Sequence, residues 1–175
     1  MISRIPFAFI LIMVLLLPEK AEADGVLIDS LQKAYDGAKT EKRKRQTQWQ
    51  LAKAYMFVDP KKAIEISKDA YIYFESKKDT ATCLNILNTL GVANAVMGKY
   101  DFSEKYFLKK LNLGRKYGDS SNVAGSLSSL GNVYHSISQY KKSIKSYKAA
   151  LHIFESLKND AGIANVLGNI GNAYK

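Results

Sequence analysis

"SLGNVYHSISQYKKSIKSYKAAL", residues 129–151, sets a glycine in the middle of a helical pattern. Leu127, Leu130, Tyr134 and Ile137 recur at helical intervals around it. Gly131 costs that helix about 1 kcal/mol relative to alanine. The same feature returns forty residues to either side, at Gly91 in "NTLGVANAV" and at Gly171 in "GNIGNAYK". An internal repeat is therefore the first property to establish.

Three stretches align without a gap: "YFESKKDTATCLNILNTLG" from Tyr73, "LGRKYGDSSNVAGSLSSLG" from Leu113 and "IFESLKNDAGIANVLGNIG" from Ile153. Each unit reads as two antiparallel helices. The first helices are expected near 80–97, 120–137 and 160 to the end, the second near 100–117 and 140–157. Ile144, Tyr147, Leu151 and Phe154 form an apolar stripe on the second helix. An earlier, less regular unit has helices near 41–57 and 60–77, with Pro60 at a helix start, where its missing N–H costs little. Asp79, Asp119 and Asp160 sit near the joins, and Thr80 and Ser120 after the first two are expected to cap helices. The organisation is thus residues 24–40 as a short capping helix, then units over 41–79, 80–119 and 120–159 and an incomplete unit over 160–175. Gly131 finds its reason in this arrangement: at a close helix crossing, glycine leaves room for bulk such as Tyr147.

The pattern Leu127-x-x-Leu130-Gly131-x-x-Tyr134, followed by Tyr140, a small Ser143, Tyr147 and Ala150, resembles the tetratricopeptide repeat over residues 41–175. The resemblance implies an all-α fold, a right-handed superhelical solenoid of antiparallel helix pairs, whose first helices line a concave surface. It also implies a non-enzymatic module that binds a protein or peptide. Several features depart from the family pattern. The period is forty rather than thirty-four, the usual closing proline is missing, and Asn94 stands where Tyr134 and Tyr174 stand in the other copies. Lys110 replaces Ala70 and Ala150, so its helix is expected to pack less closely or let the lysine snorkel. The longer unit with "LGNVY" and "IGNAY" is similar to the extended repeats of kinesin light chains and bacterial peptide-sensing regulators. The stretch from Leu27 to Glu75 resembles the exported N-terminal part of Bacteroidota tetratricopeptide proteins, which often continue into a membrane helix and a signalling output.

At the N-terminus, "MISRIPFAFILIMVLLLPEKAEAD" has an early Arg4, an apolar run from Ile5 to Leu17, Pro18 and then Ala21-Glu22-Ala23. This reads as a signal peptide over residues 1–23, with export to the periplasm or the extracellular space. The apolar run is shorter than the roughly 20 residues a spanning helix needs. Cys83 is the only cysteine, and its repeat equivalents are Val123 and Ile163, so a buried structural thiol is expected. The net charge of +10 makes an anionic lipid or polysaccharide surface the alternative partner, engaged through Lys and Arg. Export disfavours nucleic acid. The densest basic cluster, Lys42, Arg43, Lys44 and Arg45, lacks interleaved aromatics and reads as a solvated helix start.

No phosphate loop, paired cysteines, metal-spaced histidines or nucleophile motif is present in the sequence, so neither an active site nor a cofactor or metal is expected. His135 and His152 fall on different helices. The candidate binding residues lie on the first helices, opposite the apolar stripe. Gly125, Ser128, Asn132 and His135 recur at steps of three and four. Asn85, Asn88, Val92 and Ala95 form the preceding line, and Asn165, Gly168, Asn169 and Asn172 the following one. Asparagine is a mediocre helix former, and its carboxamide both donates to and accepts from a peptide backbone. Asn132 and Asn172 are expected to contribute to binding and not to folding. The last helix carries Val166, Leu167, Ile170 and Ala173 with no second helix after it, so a longer chain or a partner is expected to cover it.

Overall fold

The computed structural model describes residues 24–174. The expected signal peptide lies outside them. Eight helices and no strands form the described residues. They are α1 (24–36), α2 (Glu41–Val58), α3 (Pro60–Ser76), α4 (Thr80–Val96), α5 (Tyr100–Lys116), α6 (Ser120–Ser136), α7 (Tyr140–Ser156) and α8 (Asp160–Ala173). Each helix from α2 onward packs on the one that follows, and the first helices α2, α4, α6 and α8 also touch in succession. This is an all-α solenoid of helical hairpins.

The ends of α3 to α7 obey a twenty-residue rhythm. Lys78, Gly98, Gly118, Ser138 and Lys158 all have φ between 52° and 69°. Around Ser138, its N–H donates to the His135 carbonyl at 2.9 Å and the Gln139 N–H donates to the Tyr134 carbonyl at 2.8 Å. A left-handed residue with those two bonds satisfies carbonyls that the helix end would otherwise leave free. Helix starts correct the sequence expectation by one residue. Asp79 and Asp119, not Thr80 and Ser120, accept from the N–H groups of Thr82 and Asn122, at 3.0 and 2.9 Å. The third join is capped in the same manner by Asn159, which accepts from Gly162 N–H at 2.9 Å. A cap needs non-helical backbone one position before the helix, and the exact forty-residue period puts Asn159 there rather than Asp160.

Burial joins the second helix of each unit to the first helix of the next. Ala70, Tyr71 and Phe74 of α3 meet Cys83, Ile86, Leu87 and Leu90 of α4. Phe107 and Leu111 of α5 meet Val123, Leu130 and Val133 of α6. Tyr147, Ala150 and Phe154 of α7 meet Ala124 of α6 and Val166 and Ala173 of α8. Cys83 is buried as expected, and burial pushes its thiol up to a pKa of about 11.

Gly131 sits where the repeat requires it. A Cβ there would lie 2.5 Å from Tyr147 Cδ1, and one at Gly91 would lie 2.6 Å from Phe107 Cε1. The same crossing is pinned by a hydroxyl. Ser143 Oγ donates to the Gly131 carbonyl at 2.9 Å and Ser103 Oγ to the Gly91 carbonyl at 2.8 Å. A Cβ at Gly171 would meet nothing within 4 Å, because no helix crosses it among the described residues.

Candidate functional site

The facing helices α6 and α8, with Tyr147 of α7 beneath them, form a notch of about 270 Å³ lined by Asn132, His135, Ser136, Tyr147, Asn169 and Asn172. Four of the eight residues singled out in the sequence therefore converge. A fifth, Asn165, joins through Asn169, whose Nδ2 donates to Asn165 Oδ1 at 3.3 Å. His135 stands half-buried, edge-on to Tyr140 with ring centroids 5.5 Å apart.

The hydrogen bonds fix which face each carboxamide presents. Asn132 Oδ1 accepts from the Tyr147 hydroxyl at 2.6 Å and from Asn169 Nδ2 at 3.3 Å. Its two N–H donors are left over. Asn169 uses its Nδ2 on Asn132 and Asn165, so its Oδ1 is left as an acceptor. The notch therefore offers an amide donor beside an amide acceptor, with Asn172 exposed at its edge.

This geometry overturns the expectation that Asn132 stands apart from folding. Tyr147 is 2% exposed, and burial raises its pKa. Its hydroxyl needs a partner, which Asn132 supplies. Sequence reasoning treated Tyr147 as apolar bulk; the hydroxyl at the tip of a buried tyrosine was the available signal.

The remaining three candidates go elsewhere. Asn85 is exposed on α4 and Ser128 is buried on α6. Asn88 is engaged by Lys110, whose Nζ donates to Asn88 Oδ1 at 3.0 Å. Of the two outcomes expected for Lys110, outward snorkelling does not occur: the residue is 6% exposed. Its position on the buried side of α5 aims the stem between α4 and α6, and Gly125 lies 4.0 Å from the ammonium by its would-be Cβ. Burial lowers the lysine pKa and the Asp119 carboxylate opposes that shift.

Residues 82–156, α4 to α7 with their joins, match the family model of the tetratricopeptide repeat. Over that stretch the chain is similar to tetratricopeptide repeats. No curated protein matches it. Among solved structures, the repeats are similar to apo RapI, with a TM-score of 0.73, 17% identity and 81% of this chain covered. Aspartyl phosphate phosphatase F from Bacillus subtilis gives a TM-score of 0.73, 17% identity and 84% coverage. BtubC (BKLC) from P. vanneervenii gives 0.74, 20% and 87%. The match spans 52%, 42% and 66% of those three chains, respectively, so this chain covers less than two thirds of each. At such identities the likeness concerns the fold.

Proposed function

We propose that this protein is a non-enzymatic interaction module that holds an extended peptide across the first-helix face of its tetratricopeptide repeats. One observation carries the reading: internal hydrogen bonds leave Asn132 as a donor and Asn169 as an acceptor side by side in one notch. That pair complements the C=O and N–H of a peptide main chain and makes no demand on the peptide's side chains. Asn172 extends the row along α8. On this reading the face serves as the concave groove expected of such arrays.

The apolar run Ile5–Leu17 and Ala21-Glu22-Ala23 support export of the module. The resemblance to sensory proteins supports a role as the input region of a larger signalling protein. Binding of anionic lipid or polysaccharide through the basic cluster is less well supported. Arg45 is committed to Glu41 at 2.6 Å and to Gln48 at 2.9 Å, while Lys44 sits 5.1 Å from the Tyr35 ring centroid. Two of the four cations are thus already engaged within the chain.

The test is a titration of the purified protein against a library of unstructured peptides at low and high salt. Asn172→Ala and Asn169→Ala should each weaken binding by about 0.5 to 1.5 kcal/mol, with little dependence on salt. If those variants bind as well as wild type, while neutralising Lys42 and Arg43 abolishes binding, the charged-surface reading replaces this one.

A further inference from the structure

On the opposite, second-helix side of the solenoid, the repeat leaves one position unfilled. Tyr134, near the end of α6, inserts its ring between α5 and α7. Its hydroxyl donates to Glu104 Oε1 at 2.6 Å, and Lys142 Nζ lies 5.5 Å from the ring centroid. Forty residues earlier, all three members of that contact are changed. Asn94 stands for Tyr134, Ile64 for Glu104 and Phe102 for Lys142.

The consequence is a cleft of about 410 Å³ between α3 and α5, in the size range of side-chain and small-ligand sites. The Asn94 side chain folds back and donates from Nδ2 to the Leu90 carbonyl at 2.7 Å, which leaves the space unfilled. Ile64, Met97, Phe102 and Tyr106 supply apolar walls. Phe102 is 55% exposed at the lip, where its ring continues those apolar walls.

We propose that this cleft is a docking site for a phenylalanine side chain of a partner peptide, its ring taking the place that Tyr134 fills one repeat later. The choice of ring follows from two features. In the equivalent slot the molecule itself puts an aromatic ring, so the spacing of the helices already suits one. The phenol's acceptor, Glu104, is replaced by Ile64, which favours a ring without a hydroxyl. The cations of the cleft point the same way. Lys61, Lys68 and Lys99 line the cleft against Glu65 and Asp69, and an ammonium is attracted to the negative face of an aromatic ring. The protein uses that contact repeatedly, as with Lys109 at 4.2 Å from the Tyr71 centroid and Lys62 at 4.2 Å from that of Tyr55. The site is separate from the asparagine notch and stands whether or not that notch binds peptide.

The probes are two blocked tripeptides, glycine–phenylalanine–glycine and glycine–leucine–glycine, titrated into the protein while the methyl resonances of Ile64 and Met97 are followed by NMR. The phenylalanine peptide should shift both methyls saturably and bind at least fivefold more tightly than the leucine peptide. Asn94→Tyr should fill the slot from within and abolish the response. If that variant does not fold, Phe102→Ala carries the test: it alters an exposed side chain and should weaken binding at least threefold. No saturable shift in the wild type, equal binding of the two peptides, an unchanged response in folded Asn94→Tyr, or an unchanged response in Phe102→Ala would each overturn the proposal.

Discussion

Asn132 serves two masters, and its chemistry sorts them by atom. Its oxygen completes the buried Tyr147 hydroxyl, and its nitrogen faces the notch. Asn132→Ala should therefore destabilise the fold as well as weaken binding. Leaving a buried donor without its partner costs about 1 to 3 kcal/mol, whereas removing both partners of a pair is far milder. The expected outcome is that Asn132→Ala lowers the denaturant midpoint and that Tyr147→Phe placed in the same chain recovers much of the loss. A double-mutant cycle by urea unfolding measures this coupling. Additive losses would mean that the 2.6 Å bond contributes nothing to stability. Asn172, exposed and free of such a bond among the described residues, separates binding from folding more cleanly.

At the scale of the element, the turn after each of α3 to α7 is built the same way whatever residue occupies it. Gly98 and Gly118 accept a left-handed backbone at no steric cost, but Lys78, Ser138 and Lys158 hold it with a Cβ in place. For an L-residue that conformation costs roughly 1 to 2 kcal/mol. Ser138→Gly and Lys158→Gly should each raise the unfolding free energy, by up to about 1 kcal/mol once the extra freedom of glycine in the unfolded chain is deducted. Thermal unfolding of the two single variants checks it. Ser138 is the stricter case, because the Tyr140 hydroxyl lies 3.4 Å from its Oγ and that contact would be lost. Unchanged or lowered melting in both variants would show that the loop chemistry, not the backbone strain, sets these turns.

Over the whole molecule, the three core clusters carry buried acids that all shift in one direction. Cys83 rises from 9.0 to about 11, chiefly by burial and then through the Glu75 and Asp79 carboxylates. Tyr134 rises from 10.0 to about 12, by burial and then through its bond to Glu104. Tyr71 and Tyr147 are also raised, first by burial. A group held protonated in the folded state above its unfolded pKa contributes fully below the unfolded value. That contribution is lost as pH climbs through the folded value. Stability should thus be level up to about pH 9 with respect to these groups and decline from there toward pH 12. Urea midpoints measured from about pH 8 to about pH 11 test this, and Cys83→Ala should flatten the first part of the decline. A midpoint independent of pH across that range would contradict the assignment.

The forty-residue period, the helix pairs and the close crossing at Gly131 were all legible in the chain, because periodic apolar spacing and a costly glycine are local signals that survive without coordinates. So was the cluster of asparagines on one helix face. Three things were not. The caps fell on Asp79, Asp119 and Asn159 because a cap is defined by the backbone angle before the helix, which the neighbouring Thr80 and Ser120 do not reveal. The separation of Asn88 from Asn132 depended on where the long stem of Lys110 came to rest, twenty-two residues away in sequence. The pairing of Asn132 with Asn169 across thirty-seven residues, and with it the choice of which amide atom faces outward, needed two helices brought side by side. A sequence specifies which groups each helix presents; only packing decides which of those groups consume one another and which are left for a ligand.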